Sequence, residues 1–153
     1  MAIHPVEQTI PSVPCTGLAL TDGDKAGQWG ATASGNGANI GTIILAANNG
    51  EVAGKIVVVE KGDGGVNAAG KACTLEYAGA LRFPVKNAVT LTAADKGKKI
   101  LGAGDGFVKP VAEPSSLADV PAQVAYFKRA KGRVVAFSNA DGEKWVDVVG
   151  NFG

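Results

Sequence analysis

Apolar and β-branched residues fall in short runs along this chain, each bounded by Gly, Asn, Asp or Pro. Asn39–Ala47 (NIGTIILAA) and Glu51–Glu60 (EVAGKIVVVE) lie on either side of Asn49-Gly50. Two such runs around Asn-Gly predict a hairpin, because that dipeptide accepts the positive φ of a tight turn. Ala72–Val85 (ACTLEYAGALRFPV) mixes alternation with Gly79, which predicts a strand with a bulge or bend. Ala88–Ala93 reads as a further short strand, and KILGA and FVKPV follow on either side of Gly104-Asp105-Gly106. RVVAFS and KWVDVV around NADGE predict a second hairpin over Arg133–Val149. Short strands at close intervals, separated by turn residues, indicate an all-β fold, a compact β-barrel or β-sandwich.

Helix competes in one place, Pro121–Ala130 (PAQVAYFKRA). Asp119 suits its N-cap, Pro121 its first turn, and Lys131-Gly132 its end. Val124, Tyr126 and Phe127 also suit a strand, but the capping signals favour a short helix. Residues 1–16 form neither: Pro5, Pro11 and Pro14 hold the backbone extended, with Ile3, Val6, Ile10 and Val13 between them. Two accounts of this segment stand side by side, a frayed terminus and an arm whose four aliphatic side chains lie on a neighbouring chain. The expected organisation is an extended N-terminal arm over 1–16 and a single β domain over 17–153. Asp22–Asn39 reads as a Gly-rich loop, with Trp29 anchoring it to the body or to a partner.

Composition sharpens the fold class. The chain has 153 residues, 22 of them Gly, about twice the usual share. Helix interiors tolerate that poorly, at ~1 kcal/mol per Gly relative to Ala. A net charge of +1 supplies no strong field for nucleic acid or an anionic membrane. Residues 1–14 lack the basic and apolar regions of a secretory signal, and no apolar run reaches the ~20 residues of a membrane helix. Cys15 and Cys73 form no CxxC pair; one disulfide is open to them, but two small buried thiols are the commoner outcome.

Gly65–Cys73 (GVNAAGKAC) approaches the phosphate-loop template, Gly, four residues, Gly-Lys, then Ser or Thr. Ala72 has no hydroxyl for magnesium. CTLEYAGALRF then suits a strand, whereas a phosphate loop needs a helix N-terminus. Gly102–Phe107 (GAGDGF) likewise fails as a dinucleotide fingerprint, with Phe107 in the last glycine's place. His4 is the single histidine, and no Gly-x-Ser-x-Gly, HExxH or Cys-His pattern occurs. The Asp22-Gly23-Asp24 turn lacks the remaining ligands of a calcium loop. The basic cluster Lys128–Arg133 has too few aromatic neighbours for a nucleic-acid platform. The expectation is a protein that binds rather than transforms. It is not an enzyme, has no catalytic, cofactor or metal residues, and engages neither nucleic acid nor membrane.

A longer stretch adds to this reading. From Val57 to Val111 a turn and strand lead to Gly79–Leu91 (GALRFPVKNAVTL), followed by Thr92–Val111 (TAADKGKKILGAGDGFVKPV). It resembles the capsid decoration, or cement, proteins of tailed bacteriophages, where an Asp-Lys-Gly segment and a β-return of this kind sit in a compact β body. The resemblance covers about a third of the chain and leaves out Asp22–Asn39 and the C-terminal hairpin. It implies an all-β, non-enzymatic virion protein, made in the host cytoplasm, on the capsid exterior. Its partners would be the major capsid protein and its own copies, as a homotrimer ahead of a homodimer. Ile3, Val6, Ile10, Val13 and Trp29 are the candidate capsid or subunit contacts. The alternative is a carbohydrate-binding or adhesin-like β module, with Trp29 and Trp145 as its aromatic platforms.

Overall fold

A computed structural model describes residues 12–17, 24–30, 42–59, 72–116 and 118–153. They are all-β apart from short helical turns. The first five strands are β1 (Ser12–Gly17), β2 (Ala26–Trp29), β3 (Thr42–Leu45), β4 (Gly54–Val59) and β5 (Ala72–Glu76). They pair in the order β1-β3-β2-β4-β5, and β1 pairs with β5 as well as β3, so the ladder returns on itself. Only β1–β3 is parallel. Within this ring Ile43, Ala53, Ile56 and Leu75 form a buried cluster. Gly27 lies among them: a Cβ there would sit 2.8 Å from Ile43 Cγ2 and 3.1 Å from both Ile56 Cγ1 and Leu75 Cδ1. Glycine leaves the room these aliphatic side chains need.

The remaining elements are β6 (Ala78–Pro84), β7 (Lys99–Gly104), β8 (Phe107–Val111), α1 (Val120–Val124) with a π-turn over Ala125–Arg129, β9 (Arg133–Ser138) and β10 (Trp145–Asn151). β10 is the centre of an antiparallel sheet, β6-β10-β9. Strand alternation buries Leu81, Phe83, Val134, Val146 and Val148 on one face, and Phe152 meets Phe83 edge-on with centroids 5.5 Å apart. Each large side chain so buried stabilises by ~1.5–3 kcal/mol before entropy is counted. Ala26, Ala46 and Val52 from the first half belong to the same cluster, as do Ile100 and Val108 of the β7–β8 hairpin. Asp105 and Gly106, both at positive φ, make that hairpin's turn.

Several expectations hold. The C-terminal hairpin is β9–β10, and KILGA and FVKPV lie in β7 and β8. The segment favoured as a helix is one: Asp119 Oδ1 accepts the Ala122 N–H at 3.1 Å, and Tyr126 and Ala130 pack on Leu101. The strand suited to CTLEYAGALRF also forms, but it breaks at Tyr77 into β5 and β6, which belong to different sheets.

Three expectations fail. The Asn49-Gly50 turn does not make a hairpin of β3 and β4, because β2 lies between them and pairs with both. The connection instead crosses over β2, burying Ala46, Val52 and Ala53, and the Gln28 side chain accepts the Ala47 N–H. Within the supposed Gly-rich loop, Ala26–Trp29 is therefore a strand. Ala88–Ala93 is not a strand. Asn139 satisfies both the N–H and the C=O of Leu91, at 2.9 and 2.6 Å, and Lys144 Nζ donates to the Val89 carbonyl. Side chains take the place of a partner strand while Leu91 still reaches the core.

A 3₁₀ turn over Ala93–Asp95 follows, tied by Asp95, which accepts from the Thr92 N–H at 2.8 Å and Lys98 Nζ at 2.7 Å. Partial burial opposes ionisation of Asp95, but the hydrogen bond from Lys98 and that from Thr92 outweigh it, holding its pKa below the ordinary carboxylate value. A depressed pKa contributes stability that is present above the unfolded value, ~3.9, and is lost as pH falls. Asp95→Asn is expected to lower stability at neutral pH, and its deficit relative to wild type should shrink below pH ~4 in urea titrations.

Gly132 has φ +70°, and a Cβ there would press on Val148 Cγ1 and lie 3.0 Å from Phe152 Cζ. Gly142, at φ +76°, faces open space. Gly142→Ala should cost only the left-handed backbone penalty, ~1–2 kcal/mol. Gly132→Ala adds overpacking and should cost roughly 2–4 kcal/mol, read from denaturation midpoints of the two variants.

Candidate functional site

Alternation on β10 that buries Val146 and Val148 turns Trp145 and Asp147 to the other face, opposite Pro84 and Arg82 of β6. Arg82 grips Asp147 with two hydrogen bonds, Nε to Oδ1 at 2.8 Å and Nη2 to Oδ2 at 3.0 Å. Its guanidinium also stacks 3.5 Å from the centroid of the Trp145 ring. The hydrogen bond to Asp147 raises the Arg82 pKa further above its ordinary value. These residues border a groove of about 720 Å³ that runs to Asp24, Lys25, Lys55 and Phe107. Lys25 Nζ lies 3.6 Å over the Phe107 ring, and Lys55 pairs with Asp24 at 3.3 Å. With Lys144 on the Val89 carbonyl, each cation of this groove already has a partner. The cations of the groove are engaged by groups of the same chain rather than presented to an anion.

A second surface is built differently. Trp29 ends β2 and is 52% exposed. It lines a shallow depression with Gln28, Gly50, Glu51 and Arg129. Arg129 closes the π-turn, reaches the Asn49 carbonyl at 3.4 Å, and also borders a cleft of about 440 Å³. Leu101 and Val111 of the β7–β8 hairpin and Ala122 and Tyr126 line that cleft. Tyr126 is buried, whereas Phe127, edge-on to it with centroids 5.1 Å apart, is 60% exposed, as is Val120. A tryptophan, a phenylalanine and an arginine are the residue types enriched at the energetic centres of protein interfaces.

Of the residues expected to make contacts, Ile3, Val6 and Ile10 lie outside the described residues. Val13 is in β1, paired with Leu75 of β5, so residues 12–16 of the segment read as an arm are strand residues of the ring. Trp29 ends β2 with about half its surface exposed. Trp145 has Arg82 stacked on its ring. The Gly65 loop lies outside the described residues up to Lys71, and the residues after it form β5. Sequence reasoning missed Phe127, Val120 and Arg129. The apolar Val124-Ala125-Tyr126-Phe127 run was the available signal, but α1 is too short for its sequence to say which side is covered.

Comparison with family models, with curated proteins and with solved structures found no match. Among the described residues no helix is long and apolar enough to cross a membrane, and no group of three or more His, Cys, Asp or Glu is placed to hold a metal ion.

The Arg82 stack has a spectroscopic consequence. In a Trp29→Phe background, where Trp145 is the remaining tryptophan, Arg82→Ala should uncover the ring. Red-shifted emission and stronger acrylamide quenching are expected, with an unchanged far-ultraviolet circular dichroism spectrum. Unaltered quenching would mean that the stack does not shield Trp145 in solution.

Proposed function

We propose that this chain is a structural virion protein that binds the outer surface of a tailed-phage capsid as a homo-oligomer and stabilises the shell. The observation that carries the reading is the form of the stretch that resembles the decoration proteins. Its Asp95-Lys96-Gly97 segment is a tight turn pinned by Lys98, and it feeds directly into the β7–β8 return, which packs on the common core. The Trp29–Arg129 surface, with Phe127 and Val120, supplies an aromatic contact area for the major capsid protein. A single such contact is modest. A homotrimer presenting several copies to adjacent capsomers gains ~10²–10⁴ in avidity, provided its geometry lets the copies engage together.

The genome that carries this chain's gene should also encode a major capsid protein, and the test uses heads assembled from it. The purified protein should have a solution mass three times the 15.4 kDa chain and should co-sediment with the heads to saturation. Trp29→Ala should weaken attachment by roughly 30-fold or more, the effect of losing an interface hot spot, without changing the melting temperature. Removing residues 1–11, which leaves β1 whole, should weaken it as well if the aliphatic arm grips a neighbour. Wild-type binding curves from both variants would remove these contacts from the proposal. Failure of the intact protein to bind heads at all would remove the capsid reading itself.

The exposure of the Trp29 ring favours one other reading, a carbohydrate-binding module, in which sugar faces stack on that ring. Binding to immobilised glycans that is lost in Trp29→Ala, with no binding to heads, is the result that would select it.

A further inference from the structure

β1 and β5 run antiparallel through five consecutive pairs, from Ser12↔Glu76 to Thr16↔Ala72. The chain's two cysteines fall opposite each other in that ladder, Cys15↔Cys73. Directly opposed residues share a face of the sheet, with Cα atoms ~4.5 or ~5.5 Å apart according to the kind of pair. Both spacings lie within the ~4.4–6.8 Å that a disulfide spans. The register is also not free to slip. Val13↔Leu75 is the pair two positions away, and Leu75 is fully buried in the ring's cluster. A slip of one residue would move Leu75 to the opposite face. The same packing that holds Leu75 inside therefore holds the two cysteines in register.

We propose that Cys15 and Cys73 are a redox modification site, forming a disulfide that locks the closing ladder of the ring. The oxidant is a low-molecular-weight disulfide such as oxidised glutathione. One cysteine thiolate attacks a glutathione sulfur, giving a mixed disulfide and one glutathione thiolate. The second cysteine thiolate attacks the cysteine sulfur of that mixed disulfide and expels the other glutathione thiolate. Two cysteine protons end on two glutathione thiols, and the two electrons lost by the cysteines reduce one glutathione disulfide. The bond links β1 covalently to β5 and encloses β2, β3 and β4 in one loop. It reinforces the ladder that holds β1 in the ring, since on its other side β1 is joined to β3 through only two register pairs. In the dithiol form hydrogen bonds and packing alone keep β1 in place. The disulfide is proposed in place of the two small buried thiols expected from the sequence, and it stands independently of the capsid reading.

The experiment uses the full chain, folded, equilibrated in glutathione buffers of graded redox ratio and then quenched with iodoacetamide. Intact mass should show a monomeric chain lacking two hydrogens and carrying no alkyl groups under oxidising conditions. Under reducing conditions it should carry two. Peptide mapping should find the Cys15–Cys73 link. The oxidised form should melt roughly 5–15 °C above the reduced form, the scale expected for closing a loop of this length in a chain of this size. Cys15→Ser and Cys73→Ser should each abolish the redox dependence of melting. The wild-type titration decides the matter even if a variant does not fold. Two alkylatable thiols at every redox ratio, glutathione adducts without an internal bond, disulfide-linked dimers, or a link that forms only in denaturant would each overturn the proposal.

Discussion

Val146 and Val148 alternate inward along β10, between Leu81 and Phe83 of β6 on one side and Val134 of β9 on the other, with Phe152 set edge-on to Phe83. The β7–β8 hairpin and part of the first half of the chain lean on that layer. The β7–β8 hairpin contributes Ile100 and Val108 to it, and the first half contributes Ala26, Ala46 and Val52. The small residues matter as much as the large ones. Gly132 lies so close to Val148 that no side chain fits, and Gly27 gives the ring's aliphatic cluster the room of one missing Cβ. Close-packed interiors transmit such constraints, so the positions of the turns follow from the core rather than the reverse.

The alternation that fills the core also decides what the surface can do. On the face of β10 turned away from the core, Trp145 and Asp147 meet Arg82, and a single guanidinium serves both the ring and the carboxylate. Lys25 covers Phe107 nearby. Aromatic rings on this side are capped by cations from the same chain. Around Arg129 the arrangement differs, because Trp29 ends a strand and α1 is too short to bury both Tyr126 and Phe127. The exposed rings there are what a partner surface would cover. These exposed rings stand beside the resembling stretch as support for the proposal that the chain adheres.

Polar side chains carry an unusual structural role in the segment before β7. Leu91 is buried outside any strand, and its backbone is satisfied by Asn139, while Lys144 holds the Val89 carbonyl. The loop between β9 and β10 thus clamps the approach to the Asp95 turn. The resembling stretch and the C-terminal hairpin, which share no sequence signal, are in this way one structural unit.

Much of the class and many of the turns were legible in the residues themselves. Glycine content, alternation in KWVDVV, the Asp105-Gly106 turn and the Asp119-Pro121 helix start are all decided by contacts within a few residues, and local chemistry is enough to read them. The choice of partner strand was not legible. Asn49-Gly50 makes its turn, but β2 separates the strands on either side of it, because pairing β2 with both sets Gly27 against Ile43, Ile56 and Leu75 and buries Ala26 in the main core. Ala88–Ala93 has the residues of a strand, yet among the described residues no strand pairs with it. The register of β1 against β5, which sets Cys15 opposite Cys73 across 57 intervening residues, is likewise a matter of which distant apolar side chains share a core. Sequence determines the local geometry each segment prefers; only the packed structure determines which segments meet, since the energy that selects among pairings comes from burial far along the chain.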